Sequence, residues 1–292
     1  MTRIASVALV FLSSLFFGLS LQGGTAVQGR VLEVLSDDRA LRVEVTEASD
    51  TFSVGQVADF RIGLGDLEIG YADRLIRAQA VHYGNAWHLE RIFPVDGAGA
   101  KALQDLNRRL RAETAALSRR DYVMVGDYVP HFAMIDQDGR FLQIRSLRGN
   151  AFVLNFIFTR CAVPEMCPAS STRMAELQNR ASEAGLDKLH FVTITLDPEF
   201  DSPGILRQYA RGYGIETDNF HLLTNTQQVV DDLLRQFGIL TRDEDGTINH
   251  TMATLLVDKN GRVSFRKEGA SWSVDEFLKA AQDLLETSED EK

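Results

Sequence analysis

The stretch Phe156-Ile157-Phe158-Thr159-Arg160-Cys161-Ala162-Val163-Pro164-Glu165-Met166-Cys167-Pro168 decides how this chain is read. It joins a continuous apolar run, 152–158, of the kind a central buried strand shows, to helical text that begins at Pro168. Both of the chain's 2 cysteines therefore fall between a strand and a helix. Proline suits the first helical position, so Cys167 sits where the helix dipole and free backbone N–H groups favour a thiolate. Two cysteines can build neither a disulfide-stapled scaffold nor a four-thiolate zinc site, and any thiol function must use both.

Downstream of this stretch, helical text at 168–184 is followed by a strand at 190–196 and helices at 203–213 and 226–237. A strand pair, 253–257 and 262–266, turns across Asp258-Lys259-Asn260-Gly261, and a helix at 274–285 ends the pattern. Upstream, 131–135 and 141–144 form a hairpin about Asp138-Gly139. This order predicts a thioredoxin-like α/β domain over 125–287, with an acidic tail at 288–292. Before it, Leu103, Leu106, Leu110 and Leu117 recur at helical spacing and predict a connector helix within 96–124.

Residues 27–95 alternate apolar and polar in short runs, which predicts a small antiparallel β-barrel. A two-residue turn at Gly84-Asn85 would pair Tyr83 with Ala86 and His82 with Trp87. Ile76, Ala78, Ala80 and His82 would then share a face with Trp87 and Leu89, and His88 would point to the other side. At the start, Arg3, an apolar run and small residues to Ala26 form a signal segment, 1–26, either cleaved near Val27 or retained as an anchor. Both forms place the rest of the chain outside the cytoplasm, periplasmic and soluble or held at the outer face of the inner membrane.

The 292 residues are 45% hydrophobic, enough for real cores and incompatible with disorder. With 31 Lys+Arg against 41 Asp+Glu, the net charge of -10 leaves no electrostatic footprint for nucleic acid.

Thiolates select Cu(I), and an added imidazole extends the choice to Cu(II). His250, in Asn249-His250-Thr251-Met252, is the candidate third ligand, because in a thioredoxin-like fold the loop before strand 253–257 faces the cysteine turn. None of the six prolines lies near His250, where thioredoxins carry a cis-proline, so that position is open to a ligand. Met166 and Met252 read as gap-fillers or soft auxiliary ligands, Glu165 as a charged loop residue, and His190 and His221 as histidines at strand starts.

Three ordered motifs carry a family resemblance: Thr159-x-Cys161 with Cys167-Pro168, Leu196-Asp197-Pro198-Glu199-Phe200-Asp201-Ser202-Pro203, and His250 followed by Leu256-Val257-Asp258-Lys259-Asn260-Gly261. Over roughly 125–285 the chain resembles the Sco/SenC family of thioredoxin-like copper-handling proteins. The resemblance implies copper held by Cys161, Cys167 and His250, a supporting role for Asp197, and a redox-active pair able to form the disulfide Cys161–Cys167. It also implies service in assembly of the binuclear copper centre of cytochrome c oxidase, with subunit II or another copper or thiol client as partner, acting as metallochaperone, thiol reductant or both. One departure stands out: the family spaces its cysteines by three residues, and here five intervene. A metal-free thiol-disulfide oxidoreductase and a redox sensor are the competing readings; a structural disulfide is the bland one. The barrel more faintly resembles small periplasmic copper-binding barrels, but it has no methionine between Val27 and Val123 and reads as a docking or spacing module. His82 with Trp87 is its residual candidate for metal.

Overall fold

A computed structural model describes residues 24–118, 121–244 and 247–289. The body of the expected signal segment, residues 1–23, lies outside the described residues. Its expected cleavage point falls inside a strand: β1 (Thr25–Leu35) pairs Thr25 with Ala80 and Ala26 with Gln79. Among the described residues no helix is long and apolar enough to cross a membrane.

The N-terminal region is a closed barrel of β1, β2 (Ala40–Glu47), β3 (Val57–Arg61), β4 (Leu75–Tyr83) and β5 (Ala86–Pro94), in the order β1-β2-β3-β5-β4. It is not wholly antiparallel, as the alternation had suggested. The other four neighbouring pairs are antiparallel, and β3 and β5 close the barrel as a parallel pair at Arg61 and His88. Period-two alternation sends Val27, Val31, Leu41, Val43, Phe60 and Ile76 into one core. The hairpin turn has the expected register, Tyr83 opposite Ala86 and His82 opposite Trp87, with Gly84 supplying the left-handed φ of 61°.

Helix α1 (Ala98–Ala116) does more than connect. Leu110 is fully buried in the core of the second region, Asn107 exchanges two hydrogen bonds with the backbone of Ala133, and Arg111 pairs with Asp232 at 2.8 Å. The hairpin β6 (Ala133–Ile135) and β7 (Phe141–Gln143) leads to β8 (Ala151–Ile157), α2 (Cys167–Glu183), β9 (Leu189–Thr195) and α3 (Pro203–Gly212). Then follow β10 (Phe220–Leu223), α4 (Gln227–Phe237), the hairpin β11 (Thr241–Glu244) and β12 (Thr247–His250), the pair β13 (Ala253–Val257) and β14 (Val263–Glu268), and α5 (Val274–Glu289). Helix α5 takes in the first two residues of the expected acidic tail, and 290–292 lie outside the described residues.

The sheet order is β10-β9-β8-β13-β14, parallel through β10, β9 and β8 and antiparallel thereafter, which is the expected thioredoxin-like arrangement. Every residue of β8 is buried, because helices cover both faces. Leu154 and Phe156 join one core with α4 and α1, while Val153 joins the other with α2 and α5. The barrel seats on α3: Gly204 has no room for a β-carbon against Asp66, and Glu68 accepts Arg207 at 3.1 Å.

Candidate metal centre

The buried strand β8 delivers the chain to Phe158, and the next eight residues form the loop that carries Cys161. Cys161 N–H donates to Phe158 O at 3.3 Å, and Met166 N–H donates to Val163 O at 3.1 Å. Pro164 O and Met166 O then accept from Ala169 and Ser170 at 3.1 and 2.9 Å, so the loop winds directly into α2. The residues added by the five-residue spacing thus form a turn ahead of the helix, and the sulfurs are not driven apart. Pro168 stands in the first helical turn, as its φ requires.

His250 ends β12 and is 6% exposed; Cys167 is fully buried and Cys161 half-buried. A ligand atom from each of the three lies within 4.8 Å of the others, the one such cluster among the described residues. The His250 Nδ1–H donates to Thr251 O at 3.0 Å, which fixes the tautomer and leaves Nε2 as the acceptor, 3.4 Å from Cys167 Sγ. Thr251 is itself anchored to Leu240 by two hydrogen bonds of 2.9 Å, so the β11–β12 hairpin holds the imidazole in place. Phe158 meets the ring edge-on at 5.7 Å.

Electrostatics here differ from the sequence expectation. Burial pushes the Cys167 thiol far above its usual range and lowers the pKa of His250, outweighing any pull of the α2 terminus. These shifts favour a neutral thiol and a neutral imidazole, with Cys167 S–H directed to Nε2. A bound cation would reverse this, since thiol ligands give up their protons on binding.

Asp197 stands in the Asp-Pro turn but serves the cysteines indirectly. Its Oδ2 accepts from Arg160 Nε at 3.0 Å and Nη2 at 2.5 Å, and the guanidinium lies 4.5 Å over the Phe200 ring. Asp201, which stands in the same motif, is the buried fastener of the loop. It accepts from Thr159 N–H at 3.1 Å, from the Thr159 hydroxyl, and from Thr195 Oγ1 at 2.5 Å. Burial raises its pKa to about 6. The spacing Asp197-x-x-x-Asp201 was the available signal; Arg160 had only its place beside Cys161.

Met252 is buried, Met166 half-buried and Glu165 exposed. His190 and His221, unpaired in the sequence, stack at 5.9 Å on the adjacent strands β9 and β10. In the barrel, His82 meets Trp87 edge-on at 4.9 Å while His88 meets Tyr83 at 5.3 Å, so the two histidines do not converge.

Residues 122–285 match the SCO1/SenC family model. A SCO1 protein homolog of Bacillus subtilis (strain 168) is 29% identical over 139 residues, covering 46% of this chain and 70% of that one. A protein of Stutzerimonas stutzeri named for copper binding is 28% identical over 138 residues, covering 46% of this chain and 65% of that one. The crystal structure of a SCO1/SenC family lipoprotein from Bacillus anthracis str. Ames superposes with a TM-score of 0.51 at 27% identity, covering 55% of this chain and 96% of that chain.

Proposed function

Because the chain belongs to the SCO1/SenC family, we propose that it is an exported copper-handling protein whose ion is held by Cys161, Cys167 and His250. The observation that carries this is the meeting of two sulfurs and one imidazole nitrogen within 4.8 Å, from elements 83 residues apart in the chain. Two soft donors suit Cu(I), the imidazole extends the site to Cu(II), and the tautomer set by Thr251 leaves the correct nitrogen unprotonated. The relative from Stutzerimonas stutzeri, named for copper binding, points the same way.

Copper would be cargo, passed to the binuclear copper centre of cytochrome c oxidase. The same two thiols can alternatively reduce that client's disulfide: two protons and two electrons leave them, and the disulfide Cys161–Cys167 forms. Cys161 is the more accessible sulfur and would meet the client first. Asp197 and Asp201 support the loop through Arg160 and Thr159. Exporting the chain, by a cleaved or anchoring segment at 1–26, puts this chemistry where thiols can be oxidised.

Anaerobic titration of the reduced protein with Cu(I), with free thiols counted before and after, tests the reading. One copper per chain with loss of both thiols supports it; uptake that leaves the thiols free to react overturns it.

A further inference from the structure

Between the barrel and the thioredoxin-like domain lies a cleft of about 460 Å³. Its barrel wall carries two arginines whose guanidinium groups have neither an ion pair nor a hydrogen bond among the described residues, in a chain whose net charge is -10. The Arg77 head rests 4.3 Å over the ring of Phe93, which also lines the cleft, and the residue stays exposed to solvent. A guanidinium held over a ring but left without a counter-charge keeps its in-plane N–H donors free for an anion supplied from outside.

Arg91 adds a separate observation. The β4–β5 register slips here, so that Arg91 and Ile92 together face Ala78. Arg91 adopts a φ of 54°, a left-handed conformation that a long side chain rarely takes. A bulge of this kind re-aims one side chain. Here it puts a second unpartnered guanidinium on the cleft lining.

The facing wall belongs to the domain that carries the thiols: Pro198 and Glu199, directly after the Asp197 that clamps Arg160 beside Cys161, and Gln227 at the start of α4. We propose that the cleft binds carboxylate side chains presented by a partner polypeptide, with Arg77 and Arg91 as the cationic contacts. Planar guanidinium groups match carboxylates, and the amide side chain of Gln79 suits the backbone of a bound peptide. Glu47, held by Gln28 Nε2 at 2.5 Å, and Glu199 also line the cleft, which favours one or two carboxylates over a dense polyanion. The barrel then has a task of its own, steering an acidic segment of the client toward the neighbouring thiols. The proposal rests on the function above only for the partner being that client.

The test is calorimetric titration of the reduced, metal-free full chain with an acetylated, amidated hexapeptide containing two glutamates, and separately with citrate. The expected result is saturable peptide binding that citrate displaces and that Arg77→Gln and Arg91→Gly each weaken at least tenfold, about 1.4 kcal/mol. Arg91→Gly relieves the left-handed strain, so its melting temperature should hold or rise while binding falls, a split that a structural role for Arg91 would not produce. No saturable peptide binding, binding unchanged in both variants, or binding of citrate without the peptide would each overturn the proposal. Because no copper is present in the titration, its failure is distinct from a failure of the copper reading.

Discussion

In the barrel, His82 and His88 lie one pairing position apart across the β4–β5 hairpin, yet strand alternation sends one to Trp87 and the other to Tyr83 on the opposite face. In the thioredoxin-like domain, Cys161, Cys167 and His250 come from a loop, a helix start and a hairpin end, and their donors meet within 4.8 Å. Regular strands separate neighbours in sequence, whereas loops gathered at one end of a sheet collect residues that are far apart. The proposed metal chemistry therefore goes with the second region, and the barrel, closed and without soft donors that converge, carries the proposed recognition cleft.

The sharpest way to break this contrast is to remove both thiols from the full chain. Cys161→Ser with Cys167→Ser should abolish high-affinity Cu(I) binding, a loss of at least about a thousandfold, because a hydroxyl is a hard donor. Competition with a chromophoric Cu(I) chelator reads this directly. Stoichiometric copper surviving in the double variant would move the metal to the barrel, with His82 and Trp87 as the first suspects.

His250→Ala sharpens the contrast within the site. Two thiols alone can hold the monovalent ion, but the divalent ion needs the imidazole. Cu(II) affinity should fall by roughly a hundredfold and Cu(I) affinity by clearly less. Equal losses would mean that His250 Nε2 serves mainly as the acceptor for the Cys167 thiol.

How much of this was legible in the sequence follows from the same geometry. The apolar run of β8, the helix after Pro168 and the order of elements reported the fold because periodicity is a local property. The three donors were legible only through motif order, since no local pattern says that a histidine 83 residues beyond Cys167 returns to it. The spacing of Asp197 and Asp201 marked both carboxylates, but what they hold was not legible: a buried carboxylate fastening a loop by Thr159 and Thr195, and an arginine clamped beside Cys161, are tertiary facts. Local reasoning also misjudged Cys167. The helix start argues for a thiolate, but complete burial costs the charged form more. The parallel closure of the barrel was missed because alternation gives faces and says nothing about which strands become neighbours.

A smaller effect concerns the seam between the regions. Asp66 is buried against Gly204, receives one hydrogen bond from Tyr71 at 3.2 Å, and has its pKa pushed up to about 7 by burial. A carboxyl whose folded pKa exceeds its unfolded value of 3.8 stabilises the fold below about pH 4 and loses that contribution as pH rises through about 7. Asp66→Asn keeps an acceptor for Tyr71 but cannot ionise. Urea unfolding between pH 4 and 8 should show a flatter decline and a higher stability at pH 8. One pKa unit corresponds to about 1.4 kcal/mol, so even a third of the shift is measurable. Asp136 and Asp201, both raised to about 6, still titrate in the variant, so the difference should be clearest between pH 6 and 7. An unchanged slope would mean that the seam opens to water and that barrel and domain move as separate bodies.

The smallest expected effect tests the five-residue spacing itself. If the extra residues only enlarge the turn before α2, shortening the loop should hardly matter, because the sulfurs already approach the same point. Loop-closure entropy grows slowly with length, so two added residues cost less than about 1 kcal/mol in the metal-free state. Pro164 reduces that further by stiffening the unbound loop. Deleting Val163 and Pro164 should then change Cu(I) affinity by less than about tenfold in either direction. Met166 O accepts from Ser170 inside the helix start, so α2 should survive the deletion. A gain of several orders of magnitude on shortening would show that the native loop holds its thiols poorly for copper. The contrast between the regions would then be one of thiol exchange against docking, and disulfide chemistry at Cys161 and Cys167 would become the primary function of the site.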